Sequence, residues 1–464
     1  MVISEERPVD KRQFLKASEV VIADSLVTRV ANSAGTMNME ARTNWAGNLT
    51  YSAKHLDEAP SVDYVVQIVK SRSPLKALGA RHSFNNIADT TGDQVSLTPP
   101  RLNQMILNAG VPSVTVGGGV KYGLLAPWLD AQGFAVHNLA SLPHVTVIGA
   151  CATATHGSGI NNGNLSTAVT ALEMVTGTGD VVQLSRDSDG DKFNGAVVAL
   201  GALGIVTRVT LHVVPRFDMV QTVYENLAFD QLKNNLRAIF SSGYSVSLFT
   251  DWQKHRATQV WIKKKLEPGA DKKTPVKLPA EFYGATLQRQ MLHPIAGHSA
   301  EACTDQMGIP GPWYERLPHF KMNFTPSSGA ELQTEYFVPL DRGYEAILAV
   351  EKLRDQITPH LLVTELRTVD ADDLWMSPCH LRASLGIHFT WKPEWPSVRA
   401  LLPRIEAELK PFAVRPHWAK LNTIPPAQLQ AQYPKLDDFR ALIRQFDPQA
   451  RFKNDFLASN IYPA

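Results

Sequence analysis

The sequence predicts an α+β chain of two unlike compositional units, and three observations carry that prediction. Between Lys76 and Gly159, runs of small residues sit behind short β-branched segments: KALGARHSFNNI, VTVGGGVKYG and NLASLPHVTVIGACATATHGSG. Backbone that must approach a large polyanionic ligand closely needs such runs. At about Arg216 the texture changes, and strand-like stretches then alternate with helical ones as far as Arg415. Two of those strands carry polar residues two apart, Glu365 with Arg367 and His388 with Thr390, and that spacing puts each pair on one face.

The totals fit an ordinary water-soluble composition. With 464 residues, 44% apolar, 19% charged and a formal charge of +2, the chain can bury the cores of two or three domains. The near-neutral balance and the absence of a Lys/Arg block give no reason to expect nucleic acid. No apolar run reaches membrane-spanning length, so no membrane partner is expected. Cys151, Cys303 and Cys379 lie far apart and form neither a disulfide framework nor a CxxC pair, and no metal site is expected. Residues 1–40 include KRQFLKASEVVIADSLVTRVANSAGT, which resembles a twin-arginine export signal with Lys11-Arg12 in place of the arginine pair. Glu19 and Asp24 interrupt what should be its apolar core, so the segment reads as a degenerate signal or an N-terminal helix. The expectation is a cytoplasmic protein, with export as the alternative.

Taken in order, Ser61 caps a helix in SVDYVVQIVKSR with Val65, Ile68 and Val69 on one side. LKALGA is a short strand ending in glycine, which sets His82 at the end of a regular element. DQVSLTPP is a further strand stopped by Pro99-Pro100. RLNQMILNAG fits a strand and a short helix equally well. VPSVTVGGG alternates into a strand, YGLLAPWLDAQGF is a helix with Pro127 near its first turn, and AVHNLAS is briefly extended. Gly149 to Gly159 carries small side chains nearly throughout. A diphosphate cradle explains Gly149, Gly157 and Gly159 through exposed N–H groups, and a close-packed loop is the alternative. TAVTALEMVTGTGDVVQLS forms a hairpin about Gly177-Thr178-Gly179-Asp180. DKFNGAVVALGALGIVTRVTLHVVP is a helix followed by a strand that Pro215 ends. Neither a GxxxxGK[ST] loop nor a strand-to-helix GxGxxG is present.

In the second unit VSLFTDWQ, TQVWIKKKL, FVPLD, LLVTELRTV and LRASLGIHFTWKP read as strands, and FDQLKNNLRAIF and GYEAILAVEKLRDQI as helices. They predict one antiparallel sheet with helices on one face. Glu267 to Gly311 has no steady period and reads as long loops. Four polar groups on two strands could be a solvated sheet surface. Trp375, Phe389 and Trp391 nearby instead suggest an enclosed site in which each polar group needs a partner. RPHWAKL is followed by two helical stretches. Lys420 is a surface lysine or, given Pro416, His417 and Trp418, one that points into a pocket.

The motifs together resemble a known family. GARHSFN, VGGGVKYG, NLASLPHVTVIGACATATHGSG and GALGIVTRVTL resemble the FAD-binding domain of the vanillyl-alcohol-oxidase-type family. TELRTVDADDLWMSP, GIHFTWK, RPHWAK and FKNDFL narrow the likeness to the alditol oxidases, including xylitol and sorbitol oxidases, over nearly all of Asn44 to Tyr462. The resemblance implies a two-part FAD-binding domain at 41–218 and a C-terminal strip at 419–464, with an α+β substrate domain at 219–418 between them. It implies FAD bonded covalently to His82. The residues implied at the cofactor are Gly79, Ala80, Arg81, Ser83, Phe84, Ala140, Ser141, His144, Gly149, Ala152, Thr153, Thr155, His156, Gly157, Gly159 and Ile205. It implies Ser141, Thr390, Glu365 and Arg367 at the substrate, and Lys420, His388, Arg367 and Glu365 in catalysis.

The activity so implied is oxidation of the terminal hydroxyl of a linear polyol to the aldose, with O2 reduced to H2O2, by a monomer. Lys420 and Arg367 would hold the oxygen, His388 would be the base, and Glu365 would bind a second hydroxyl and fix Arg367 or Lys420. Ala140, where many oxygen-reactive relatives have glycine, leaves a dehydrogenase open. The alternatives are an aldonolactone oxidase or dehydrogenase and, from another class, a flavin carrier without turnover.

Overall fold

In the computed structural model, residues 42–97, 102–108, 110–325 and 327–463 are described; the segment 1–40 and Pro99-Pro100 lie outside the described residues. The strands His55–Glu58, Asp93–Ser96 and Leu75–Leu78 form a small parallel sheet with Asp93–Ser96 in the middle. The predicted helix Val62–Ser71 follows the first strand. Ser61 accepts from the Tyr64 N–H, and Val65, Ile68 and Val69 are buried. This is the amphipathic stripe that the spacing demands.

A five-stranded antiparallel sheet comes next in the order Met105–Asn108, Ser113–Gly117, Gly204–His212, Val169–Thr176, Val181–Ser185. RLNQMILNAG therefore supplies a strand, paired with Ser113–Gly117. The 177–180 hairpin is present, and Gly179 takes the positive φ of 81° that its turn requires. Two readings of this region need correction. Pro127 is the sixth residue of the helix Tyr122–Ala131, not part of its first turn. Gly149 to Gly159 is not loop throughout, because Val147–Ala152 is helical.

The second unit builds a ten-stranded sheet. At its centre the strands Ser245–Thr250, Leu361–Val369, Ser384–Trp391 and Leu332–Pro339 lie side by side, antiparallel at each step. Two boundaries differ from expectation. The strand predicted from FVPLD begins five residues earlier, at Leu332, and Asp218–Ala228 is an eleven-residue strand that was read as no element. The helix expected in GYEAILAVEKLRDQI breaks into Gly343–Glu351 and Arg354–Ile357. Three C-terminal helices, Pro426–Gln430, Leu436–Phe446 and Asp455–Asn460, replace the two expected. Among the described residues no helix is long and apolar enough to cross a membrane.

The aromatic residues taken as the site's apolar surroundings lie elsewhere. Phe389 and Trp391 alternate with His388 and Thr390, so they face the back of the sheet. There their rings stack at 4.9 Å, and Trp391 donates to Thr334 Oγ1 at 3.0 Å. Trp375 packs on Gly195 and donates to Asp191 at 2.8 Å. The enclosure is real, but other residues produce it.

Candidate active site

The register of three central strands sets out the site. Glu335 pairs with His388, and His388 pairs with Glu365, so these three side chains form a row across the sheet. The next row along the strands is Gln333, Thr390 and Val363. All six line one cavity, together with Arg367 and Lys420. Arg367 is opposite Gly386, where a Cβ would start 3.5 Å from Glu335 Oε1. The bare backbone there leaves room for the guanidinium to lie across toward Glu335.

Glu335 was not legible as a site residue, yet it is the hub. It is fully buried, and it accepts from Lys420 Nζ at 2.7 Å and from Arg367 Nη2 at 3.1 Å. His156 Nε2 is 3.3 Å away. Burial alone would push its carboxyl up, but Lys420, Arg367 and His156 hold it well below the usual carboxylate range. Glu365 was expected to fix Lys420 or Arg367. It reaches Arg367 Nη1 at 3.5 Å, while Lys420 is held by Glu335. Gln333 and Glu335 are two apart, like Glu365 and Arg367, but FVPLD marks this strand only from Phe337, beyond both.

Lys420 is no surface lysine. Burial lowers it from 10.5 to about 8, with Glu335 opposing and Arg367 adding to the fall. Its Nζ lies 2.6 Å from His388 Nδ1, and His388 Nε2 lies 3.2 Å from Thr390 Oγ1. Burial, then Lys420, lowers His388 to about 4. The imidazole therefore offers its lone pair to Lys420 rather than to open space. Arg367 Nη1 also donates to Ser141 Oγ at 3.0 Å.

His319 and Lys263 were missed as well. His319 Nε2 lies 2.9 Å from Glu365 Oε1, and Lys263 Nζ lies 3.1 Å from His319 Nδ1. Lys263 is one of three successive lysines in TQVWIKKKL and His319 lies 56 residues further on, outside any predicted element, so only the fold brings them together.

The same cavity extends to the glycine-rich loops. It is lined by Gly79, Ala80, Arg81, His82, Ser83 and Phe84, by Ala140 and Ser141, and by Gly149, Ala152, Thr153, Thr155 and His156. Four expected cofactor residues do not line it. Gly157 and Gly159 are packing positions, where a Cβ would meet Leu139 O at 2.3 Å and the Asn162 side chain at 2.2 Å. Ile205 is buried in a separate apolar cluster beside Gly204 and Val206, which do line the cavity. His144 bonds Met322 O at 2.9 Å.

His82 follows Arg81, whose φ of 64° is a conformation that few non-glycine residues adopt. Trp45 stacks on its ring at 5.2 Å. Burial, then His144, Lys121 and Arg81, lowers it to about 3, which leaves the imidazole neutral.

One turn joins the two ends of the cavity. Phe84 N–H donates to Ala419 O at 2.7 Å, and the Asn85 amide donates to the carbonyls of Trp418 and Lys420 at 2.8 and 2.9 Å. From the other side, Leu421 N–H donates to Gln333 O and His417 N–H to Glu335 O. The Lys420 turn is thus clamped between the His82 loop and the Glu335 strand. A flavin dinucleotide fits these residues. Ile148 and Gly149 line the cavity in the first turn of the Val147–Ala152 helix, whose N–H groups have no partner within the helix and suit a diphosphate. A neutral, desolvated imidazole lies at one end of the same space and a polar wall at the other.

The family model described as FAD binding domain matches residues 57–185, and that described as D-arabinono-1,4-lactone oxidase matches residues 325–460. The alditol oxidase of Streptomyces sp. (strain IKD472 / FERM P-14339) is 43% identical over 422 residues, covering 90% of this chain and 98% of the relative. The L-gulono-1,4-lactone dehydrogenase of Mycobacterium tuberculosis (strain ATCC 25618 / H37Rv) is 28% identical over 431 residues, covering 89% and 97%. Among solved structures, a solvent-stable cholesterol oxidase superposes with a TM-score of 0.74 at 15% identity, covering 91% of this chain and 97% of the other, which speaks to the fold. The cholesterol oxidase of B. sterolicum gives 0.72 at 16%, covering 94% and 100%. With the identity, the coverage and the FAD-binding match in one chain, this protein belongs to the alditol oxidase family of vanillyl-alcohol-oxidase-type FAD-dependent oxidoreductases.

Proposed function

We propose that the protein oxidises the terminal primary hydroxyl of a linear polyol such as xylitol or sorbitol to the aldose, using FAD bonded covalently to His82 and O2 as the final acceptor. One observation carries this reading: the turn bearing Lys420 is hydrogen-bonded both to the His82 loop and to the Glu335 strand. A substrate held by Lys420 is therefore held beside a cofactor anchored at His82. FAD supplies the two-electron acceptor. Residues 41–218 and 419–464 would bind it, and 219–418 would cover the substrate. The neutral His82 imidazole keeps the lone pair that a covalent bond needs.

The reacting oxygen is received by Arg367 and Lys420, whose charges Glu335 balances and positions. The hydroxyl proton goes to the free-base amine of Lys420, which keeps an N–H on His388 Nδ1. His388 thus orients the base instead of being it, because its own lone pair already faces the amine at 2.6 Å. Thr390, Ser141 and Glu365 meet further hydroxyls. A site built to pair several hydroxyls rejects ligands that lack them, since its own buried groups are then left unsatisfied.

The match of residues 325–460 to the lactone oxidase model favours one second reading, oxidation of an aldonolactone in the same cavity. A panel of xylitol, sorbitol, glycerol and L-gulono-1,4-lactone separates the two. Saturating peroxide release with xylitol or sorbitol is expected, and saturation with the lactone alone would replace the polyol reading. Flavin reduction without peroxide would replace O2 with another acceptor. Acid precipitation is expected to leave yellow chromophore in the pellet and His82→Ala to release it to the supernatant; a colourless wild-type pellet would refute the covalent bond.

A further inference from the structure

Lys263 takes no part in the steps above, yet the strand register puts it on the same face of the sheet as Glu365 and Arg367. It is 1% exposed on the strand Arg256–Lys265. Its Nζ donates to Leu317 O at 2.5 Å and Pro318 O at 3.2 Å, and lies 3.1 Å from His319 Nδ1. Three acceptors match the three protons of an ammonium, the form that burial leaves to Lys263 below about pH 7. Burial alone would raise the Glu365 carboxyl, but Arg367 and His319 hold it well below its usual range, so it only accepts; His319 Nε2 therefore carries the proton and donates to Glu365 Oε1 at 2.9 Å, and Nδ1 accepts from Lys263. The same strap of chain is pinned at its other edge, where Ser141 O accepts from the N–H groups of His319 and Phe320 at 2.8 and 3.2 Å. His319 itself lines the cavity.

We propose that His319 is a specificity-determining residue for the far end of a hydroxylated chain, and that Lys263 is the positioning residue that fixes its tautomer. Glu365 lies two strands from Glu335, roughly 10 Å across the sheet. Its carboxylate lies at Arg367 Nη1, 3.5 Å away, while Lys420 is held by Glu335, so it meets a different hydroxyl from the one at Lys420. With Oε1 engaged by His319, Oε2 is the oxygen left for Arg367 and for that hydroxyl. Were the imidazole to flip its tautomer, a lone pair would face the carboxylate and turn it away from the ligand. The inference rests on the polyol reading for its ligand, but not for its geometry.

The test uses the full-length flavoprotein. In ¹⁵N-histidine NMR, the His319 resonances, identified by their loss in His319→Gln, should be those of the Nε2–H tautomer. In Lys263→Met they should move toward the other tautomer. The same variant should raise KM for xylitol about tenfold while the limiting rate of flavin reduction falls much less, and kcat/KM for 1,2-propanediol, too short to reach Glu365, should change less than about twofold. An Nδ1–H tautomer in the wild type, or an unchanged KM for xylitol in folded Lys263→Met, would overturn the proposal. If Lys263→Met does not fold, His319→Gln keeps an N–H for Glu365 and His319→Leu does not. A raised KM in Leu that Gln largely restores supports the proposal, and equal effects in both overturn it. If xylitol fails to reduce the wild-type flavin, the polyol reading falls, while the tautomer measurement still decides the geometry.

Discussion

The charge state of Lys420 decides what the site can do. An amine lowered from 10.5 to about 8 is an ammonium below that pH and a free base above it. Taking up a hydroxyl proton requires the free base. The rate of flavin reduction by xylitol should therefore rise as pH increases through about 8 and level off above it, as followed by anaerobic stopped-flow absorbance. A rate that falls over this range would mean that the ammonium is the active form. Glu335 raises the Lys420 value, so Glu335→Gln should shift the step to lower pH. It should also slow reduction roughly 10²-fold, because Arg367 and Lys420 then face each other without the anion between them. Retention of the wild-type pH profile in that variant would remove Glu335 from its place as hub.

At the scale of elements, the strand period made half of the wall readable. Glu365 with Arg367, and His388 with Thr390, follow from alternation alone, because a strand sends every second side chain the same way. Glu335 obeys the same rule, but the strand pattern in the sequence is plain only from Phe337, whereas the strand runs from Leu332. Alternation should also have excluded Phe389 and Trp391 from the site, since each adjoins a residue placed in it. Glycine was less informative than its density suggested: Gly149 lines the cavity, whereas Gly157 and Gly159 admit close backbone packing. The aromatic assignment can be tested directly. Trp391→Ala should cost about 3–5 kcal/mol in urea unfolding as a core deletion. KM for xylitol should stay near wild type below the transition, and a KM rise without loss of stability would return Trp391 to the site.

Across the whole molecule, the C-terminal segment closes the structure onto its beginning. Leu75 N–H donates to Arg451 O, and the buried ammonium of Lys76 donates to Gly201 O at 2.9 Å with Phe452 O at 3.4 Å. Asn454 donates to the carbonyls of Asn86, Ile87 and Asp89 while its Oδ1 caps the helix Asp455–Asn460. The contacts of Arg451, Phe452 and the Asn454 amide leave no sign in the sequence, because their partners are more than 350 residues away and carbonyl groups leave no trace in composition. Asn454→Ala loses the cap and the three carbonyl bonds together and should destabilise by about 2–3 kcal/mol. Differential scanning calorimetry checks it, and an unchanged Tm would show that the closure adds nothing.

The central claim is that the Lys420 wall and the His82 cofactor loop are one reaction site. Anaerobic mixing of xylitol with wild type and with Lys420→Met, matched for bound flavin, tests it most directly. The flavin band should bleach in the wild type with a rate that saturates in xylitol, and bleach at least about 10²-fold more slowly in the variant. Equal rates in the two proteins, or a wild-type flavin that no polyol reduces, would contradict it.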